Sequence, residues 1–191
     1  MGVHSNLSSD RFLIEDFLAF TDTRPDGEKW ELIDGTPVMS PSANHRHQTI
    51  VRNLIITIGI IEKQRRPTWH VIPGMGVKIS PKSAPVPDVM IRPRELLSGS
   101  ISEDMIVAFE ILSPSTADHD LRWKRRAYAS LPTLQHYVII AQDDVDVIVY
   151  DRASAFAERR LERLDMSLEL ASLGLTLALR DIYENTGVTA P

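Results

Sequence analysis

Two acidic residues in this chain sit where acids are costly. Asp88 follows Val86-Pro87, and twenty-two positions later Glu110 interrupts the apolar run Ile106-Val107-Ala108-Phe109-Glu110-Ile111-Leu112. An unpaired ionised carboxylate buried in a strand costs several kcal/mol even after relaxation. Two such acids meeting at one place would suit a divalent cation, because Mg²⁺ takes hard oxygen ligands and is often held by one or two carboxylates plus substrate phosphate. The residues alone leave other roles open: Asp88 as a turn cap after Pro87, and Glu110 as the partner of a core Arg.

The elements that must position these acids can be read from the pattern. Ser8-Ser9-Asp10 offers caps for a short helix carrying Phe12, Leu13, Phe17 and Leu18. Asp34-Gly35 between Trp30-Glu31-Leu32-Ile33 and Thr36-Pro37-Val38-Met39 signals a β-hairpin. A long helix is predicted from about Asn44 to Arg66, with Ile50, Leu54, Ile58 and Ile61 on one face. Trp69 to Ile79 has β character, and Gly74 and Gly76 suggest a bulge or close backbone approach. Strands are predicted at Val86–Ile91 and Met105–Leu112. Ser113-Pro114-Ser115-Thr116 ends the second, and a helix over Asp118–Leu131 stops at Pro132. Strands at Gln135–Ala141 and Val145–Tyr150 flank the turn Asp143-Asp144. Phe156 to Leu164 alternates poorly, Leu175–Leu179 reads as a last strand, and Asp181–Glu184 as a short helical turn. This order is that of an α+β or mixed α/β domain.

Composition bounds the function classes. A chain of 191 residues, 43% apolar with 12 prolines along its length, is expected to form one domain spanning 1–191. C-terminal strands and a short helix are expected to run to about 184. The absence of cysteine excludes disulfides, thiolate zinc sites and cysteine nucleophiles. Neither a signal peptide nor a membrane span is expected, so a cytoplasmic location is the expectation. A net charge of -5 argues against coating nucleic acid by bulk electrostatics. It leaves room for a local basic patch beside an acidic pocket. Lys63, Arg65 and Arg66, and Arg122, Lys124, Arg125 and Arg126, form such a patch or a solvated helix face. His45 and His47 would diverge by about 200 degrees on a helix with 3.6 residues per turn, which disfavours a transition-metal pair. Trp30, Trp69 and Trp123 read as core or interface anchors.

A set of short motifs resembles the Uma-type family of putative restriction endonucleases, within the PD-(D/E)XK nuclease superfamily. These are Trp30-Glu31-Leu32-Ile33-Asp34-Gly35, Met39-Ser40-Pro41 with His47, Pro87-Asp88, Phe109-Glu110-Ile111-Leu112-Ser113-Pro114-Ser115-Thr116, and Asp120, Lys124 and Tyr128. The resemblance covers about residues 12 to 183 and implies a restriction-endonuclease-like core over about 28–152. It implies a restriction-endonuclease-like fold with a mixed central sheet flanked by helices, and a Mg²⁺ (or Mn²⁺) site at the ends of adjacent strands. Asp88 matches the first acid and Glu110 the second, but Leu112 stands where a Lys is expected. The resemblance implies that Lys124 supplies this cation from the following helix, since Asp120, Lys124 and Tyr128 are four apart and share a face.

In metal-assisted phosphodiester hydrolysis, Asp88, Glu110 and the Ile111 carbonyl would hold the ion. Lys124 would orient or deprotonate water or stabilise phosphate charge. Glu31 is a third carboxylate, a partner of a water on the ion, or a cross-strand neighbour on an exposed hairpin face. His47 would contact phosphate or support a ligand. Lys124 alone would be a surface lysine, and Tyr128 alone a core residue with a bonded hydroxyl. The expected function is a DNA endonuclease, acting as a homodimer if it cuts both strands. The alternative is a catalytically silent domain of the same fold that binds nucleic acid or protein.

Overall fold

The computed structural model describes residues 11–40, 42–97, 99–112 and 118–189, without the side chains of 118–121. The expected caps Ser8, Ser9 and Asp10, Pro41, and the Ser113–Thr116 break lie outside these residues. Helix α1 (Ile14–Thr21) precedes the hairpin of β1 (Trp30–Ile33) and β2 (Thr36–Met39). Asp34 and Gly35 have φ of 47° and 80°, the two positive values that a tight type I′ hairpin turn requires. A Cβ on Gly35 would stand 2.3 Å from the Arg11 Cβ. Gly35→Ala is therefore expected to destabilise the protein by about 1–3 kcal/mol, read as a lower midpoint in chemical denaturation.

Helix α2 (His45–Arg65) follows. The Asn44 side chain accepts from the His47 N–H at 3.0 Å, the bond that makes Asn a strong helix cap. Ile50, Leu54 and Ile58 are buried as predicted, and Ile61 is partly buried. Asn53 is also buried, and its amide donates to the Ile182 and Glu184 carbonyls at 2.9 and 2.8 Å. That ties the C-terminal segment to α2.

The Trp69–Ile79 stretch holds two short strands, and the close approach suggested by its glycines is found at Gly76, where a Cβ would stand 3.2 Å from Ile101 Cγ1 and 3.5 Å from the Ser100 carbonyl oxygen. β3 (Trp69–Pro73) ends where Gly74 turns left-handed, and β4 (Gly76–Val77) leaves to pair in parallel with β6 (Ile101–Ser102). The next strand also differs from expectation, because β5 spans Val89–Pro93 rather than Val86–Ile91. Pro85 and Pro87 have no N–H to give a ladder, so Asp88 falls just before the strand. β7 (Val107–Leu112), α3 (Asp118–Ala129), β8 (His136–Ala141) and β9 (Val147–Asp151) come close to their predicted spans. The poorly alternating Phe156 to Leu164 stretch contains β10 (Glu158–Leu161); β11 (Ser167–Leu170) follows it without having been expected, and β12 (Leu175–Ala178) and α4 (Leu179–Ile182) complete the described elements.

The central sheet has the order β10-β9-β8-β7-β5-β3. Only β7 and β8 run parallel, joined by α3, and the other neighbours are antiparallel. Side-chain alternation divides two cores. Val89, Ile91, Val107, Phe109, Val138 and Ile140 face α2, the β11–β12 hairpin and α4. Met90, Ala108, Tyr137 and Ile139 face Tyr128, Leu131 and Leu134 of α3 and its following turn. A smaller third cluster, Phe17, Leu32 and Ala84, holds α1 and the first hairpin. Among the described residues no helix is long and apolar enough to cross a membrane.

Candidate active site

The register of β5 against β7 decides where the two acids meet. Val89 pairs with Phe109 and Met90 with Ala108, so Asp88 stands opposite Glu110, on the face with Met90 and Ala108. Helix α3 crosses that face. Lys124 and Tyr128, one turn apart, both reach Glu110: the tyrosine hydroxyl donates to Oε1 at 2.8 Å, and the Lys124 ammonium lies 3.2 Å away. Lys124 also donates to Glu31 Oε1 at 3.1 Å. Glu31 is buried rather than on an exposed hairpin face, and it accepts from the Val86 N–H at 3.2 Å. The antiparallel bridge between Leu32 and Ala84 fastens the hairpin in that position.

Asp88 is held from three sides. The Ile111 N–H donates to Oδ2 at 2.9 Å, His47 Nε2 lies 3.2 Å from Oδ2, and Lys29 Nζ donates to Oδ1 at 2.9 Å. The Leu112 carbonyl faces β8, where it accepts from Gln142 N–H. Because the N–H and C=O of one strand residue point the same way and alternate along the strand, the Ile111 carbonyl faces the Asp88 side. Glu31, His47, Asp88, Glu110, Ile111 and Lys124 all line one cleft of about 600 Å³. The Asp120 side chain lies outside the described residues.

The Uma2 family, described as putative restriction endonuclease, matches residues 14–180. The chain belongs to the Uma2 family. It is 33% identical over 100 residues to the uncharacterized protein slr1290 of Synechocystis sp. strain PCC 6803, a match covering 51% of this chain and 53% of the relative. The chain thus spans about half the length of the curated relative it matches. Its fold is similar to the crystal structure of a putative nuclease belonging to DUF820 from Anabaena variabilis ATCC 29413, with a TM-score of 0.72 and 18% identity. That alignment covers 90% of this chain and 97% of the other.

In this Uma2 chain Leu112 lies at the edge of the cleft, and the ammonium beside Glu110 comes from α3. Arg125 points the other way, with its guanidinium 4.1 Å from the centre of the Tyr150 ring, and Arg126 is exposed. His45 is exposed, so only His47 of the histidine pair reaches the cleft. Trp69 is buried, Trp30 packs edge-on against Phe20, and the Trp123 indole donates to Asp34 at the hairpin turn at 3.0 Å. Lys29 was not singled out by its sequence context. The available signal was its position two residues before Glu31, which puts both on one side of an extended chain. Gln142 is a second unforeseen cleft residue, buried, with Oε1 lacking a hydrogen-bond partner among the described residues.

The two acids are driven in opposite directions. Burial alone would raise Asp88, but the hydrogen bond from His47, the charge of Lys29 and the Ile111 N–H hold it well below the usual carboxylate range. Burial pushes Glu110 up from 4.5 to about 7, against the pull of Lys124 and with the help of Asp88 and Glu31. Burial, and then Glu110, push the Tyr128 hydroxyl well above its ordinary 10. Glu110 therefore binds its proton more tightly in the folded chain than in the unfolded one. Its contribution to stability is present below pH 4.5 and is lost as pH rises through 7. Between pH 5 and 8 the metal-free protein is expected to lose up to about 3 kcal/mol relative to Glu110→Gln. Parallel denaturation curves of the two proteins across that range check this, and parallel pH profiles would refute it. Asp88 acts with the opposite sign, its contribution fading only in acid.

Proposed function

We propose that this chain is a divalent-cation-dependent endonuclease that hydrolyses phosphodiester bonds in DNA. The observation that carries this reading is the buried Lys124 ammonium held between Glu31 and Glu110, with Asp88 opposite Glu110 across one strand pair. Among the described residues there is no group of three or more His, Asp or Glu arranged around a metal position. The available set is smaller: two carboxylates and a backbone carbonyl directed to the same side. Such hard oxygen donors fit Mg²⁺ or Mn²⁺, which Asp88, Glu110 and the Ile111 carbonyl would hold. A divalent cation bound there would polarise the scissile phosphate and acidify the attacking water.

The remaining chemistry belongs to side chains. Lys124, fixed by two carboxylates, is suited to stabilise negative charge building on the phosphate. Glu31 holds that ammonium in place through its own bond to the Val86 N–H. His47 orients Asp88, and Tyr128 orients Glu110. Burial of Glu110 and Lys124 keeps water from competing with these contacts. The same reading takes the protein to be cytoplasmic and to act as a homodimer, since two sites would be needed to cut both strands.

A second reading is a silent domain that binds nucleic acid or protein without cutting. It is favoured by the internal pairing of both acids and by the net charge of -5. Plasmid nicking or cleavage by purified protein, titrated with Mg²⁺ and Mn²⁺, separates the two. Metal-dependent conversion is the expected result. No conversion and no metal-induced rise in melting temperature would overturn the endonuclease reading.

A further inference from the structure

Asp88 already carries three donors, whereas a carboxylate has two oxygens and about four lone-pair directions. Two of those donors are fixed. The Ile111 N–H belongs to a central strand, and His47 is anchored in the capped first turn of α2 with its side chain 15% exposed. Lys29 is the third, and it is different. Its side chain is 35% exposed, it precedes β1 at the cleft, and a flexible four-carbon stem lets its ammonium move without moving the backbone. Asp88 is the one side-chain partner of its Nζ among the described residues.

We propose that Lys29 is a substrate-binding residue: its ammonium occupies Asp88 while the site is empty and transfers to a DNA phosphate when a divalent cation binds. This rests on the endonuclease reading above. Two positive groups on Asp88 at close range repel each other strongly in a partly buried site. A phosphodiester oxygen entering the cleft offers the displaced ammonium a charge-assisted partner of similar strength. Lys124 is poorly placed for this movement, since it is buried and bonded to both Glu31 and Glu110. Lys29 would thus couple the two ligands. Cation binding frees a phosphate-binding group, and phosphate binding removes a competitor from Asp88, as reciprocal linkage requires.

The test uses the whole protein and variants at Lys29. Mn²⁺ binding is measured on protein alone by calorimetry. Affinity for a labelled DNA duplex is then measured by fluorescence anisotropy with Ca²⁺ as the divalent ion. Lys29→Met is expected to lower the Mn²⁺ half-saturation point about three- to tenfold and to weaken DNA binding about tenfold. Lys29→Arg should recover most of the DNA affinity. Lys78→Met removes another exposed lysine, one paired with Glu103 away from the cleft, and should leave both constants near wild type. Weaker Mn²⁺ binding by Lys29→Met would show that Lys29 merely supports Asp88, and would overturn the proposal. So would DNA affinity unchanged by Lys29→Met. If wild type binds Mn²⁺ and cuts DNA while Lys29→Met shifts neither constant, this inference fails and the endonuclease reading stands. If wild type neither binds Mn²⁺ nor cuts DNA, both fail together.

Discussion

Asp88→Asn and Glu110→Gln are each expected to lower metal-dependent DNA cleavage at least about a hundredfold, because each removes a charged oxygen donor from the proposed cation site. Their effects on the metal-free protein should have opposite character. Asp88 is held in its charged form by His47, Lys29 and the Ile111 N–H, so its neutral replacement forfeits charge-assisted bonds worth about 1.5–3 kcal/mol each. Glu110 is pushed by burial toward its protonated form, so Gln at this position should cost little at neutral pH and less still at pH 8. The measurements are thermal denaturation with and without Mn²⁺ beside a cleavage assay. Asp88→Asn should melt lower than wild type without metal, Glu110→Gln near or above it, and neither should gain stability when Mn²⁺ is added. Cutting that survives both substitutions would move the reaction to another site or to a contaminant.

Lys124→Met carries the second large effect, this time on stability. The substitution leaves Glu31 and Glu110, both buried, facing each other without the ammonium that now lies 3.1 and 3.2 Å from them. Removing one member of a buried ion pair costs about 3–5 kcal/mol, mainly through the charge left behind. Chemical denaturation at pH 7.5 should register a loss of that order, together with loss of cleavage. Adding Glu110→Gln to Lys124→Met should recover part of the stability, since one uncompensated acid is then neutral. The two changes would thereby be strongly non-additive. A loss below about 1 kcal/mol for Lys124→Met would mean that water or local rearrangement reaches the two acids.

Much of this site was legible because its residues violate local patterns. Glu110 interrupts an apolar strand, and Asp88 follows a proline at a strand entrance. Lys124 and Tyr128 acquire meaning only from their shared helical face. Lys29 violates nothing: a lysine before a strand resembles any solvated lysine, and its value arises from a contact with Asp88, 59 positions away. The long helix was legible from its Ile and Leu spacing and from Asn44, whereas β10 and β11 were not. β10 is an edge strand in which only Leu161 is buried. β11 shows two buried leucines in four residues, too short a pattern to stand out. The split of β3 from β4 depends on the pairing of β4 with the distant β6, which no local pattern encodes.

The first hairpin is not a strand pair of the central sheet, and its residues pack in a small cluster of their own with α1. Yet it delivers Lys29 and Glu31, two charged groups of the cleft. Local opening free energies in proteins follow such divisions, with lightly packed units opening before the global core. Detachment of the hairpin would take Glu31 from Lys124 and Lys29 from Asp88 while leaving the register of Asp88 against Glu110 intact. If the hairpin opens before the sheet, the complete constellation exists only while the hairpin is docked, and its lifetime is then set by undocking rather than by global unfolding.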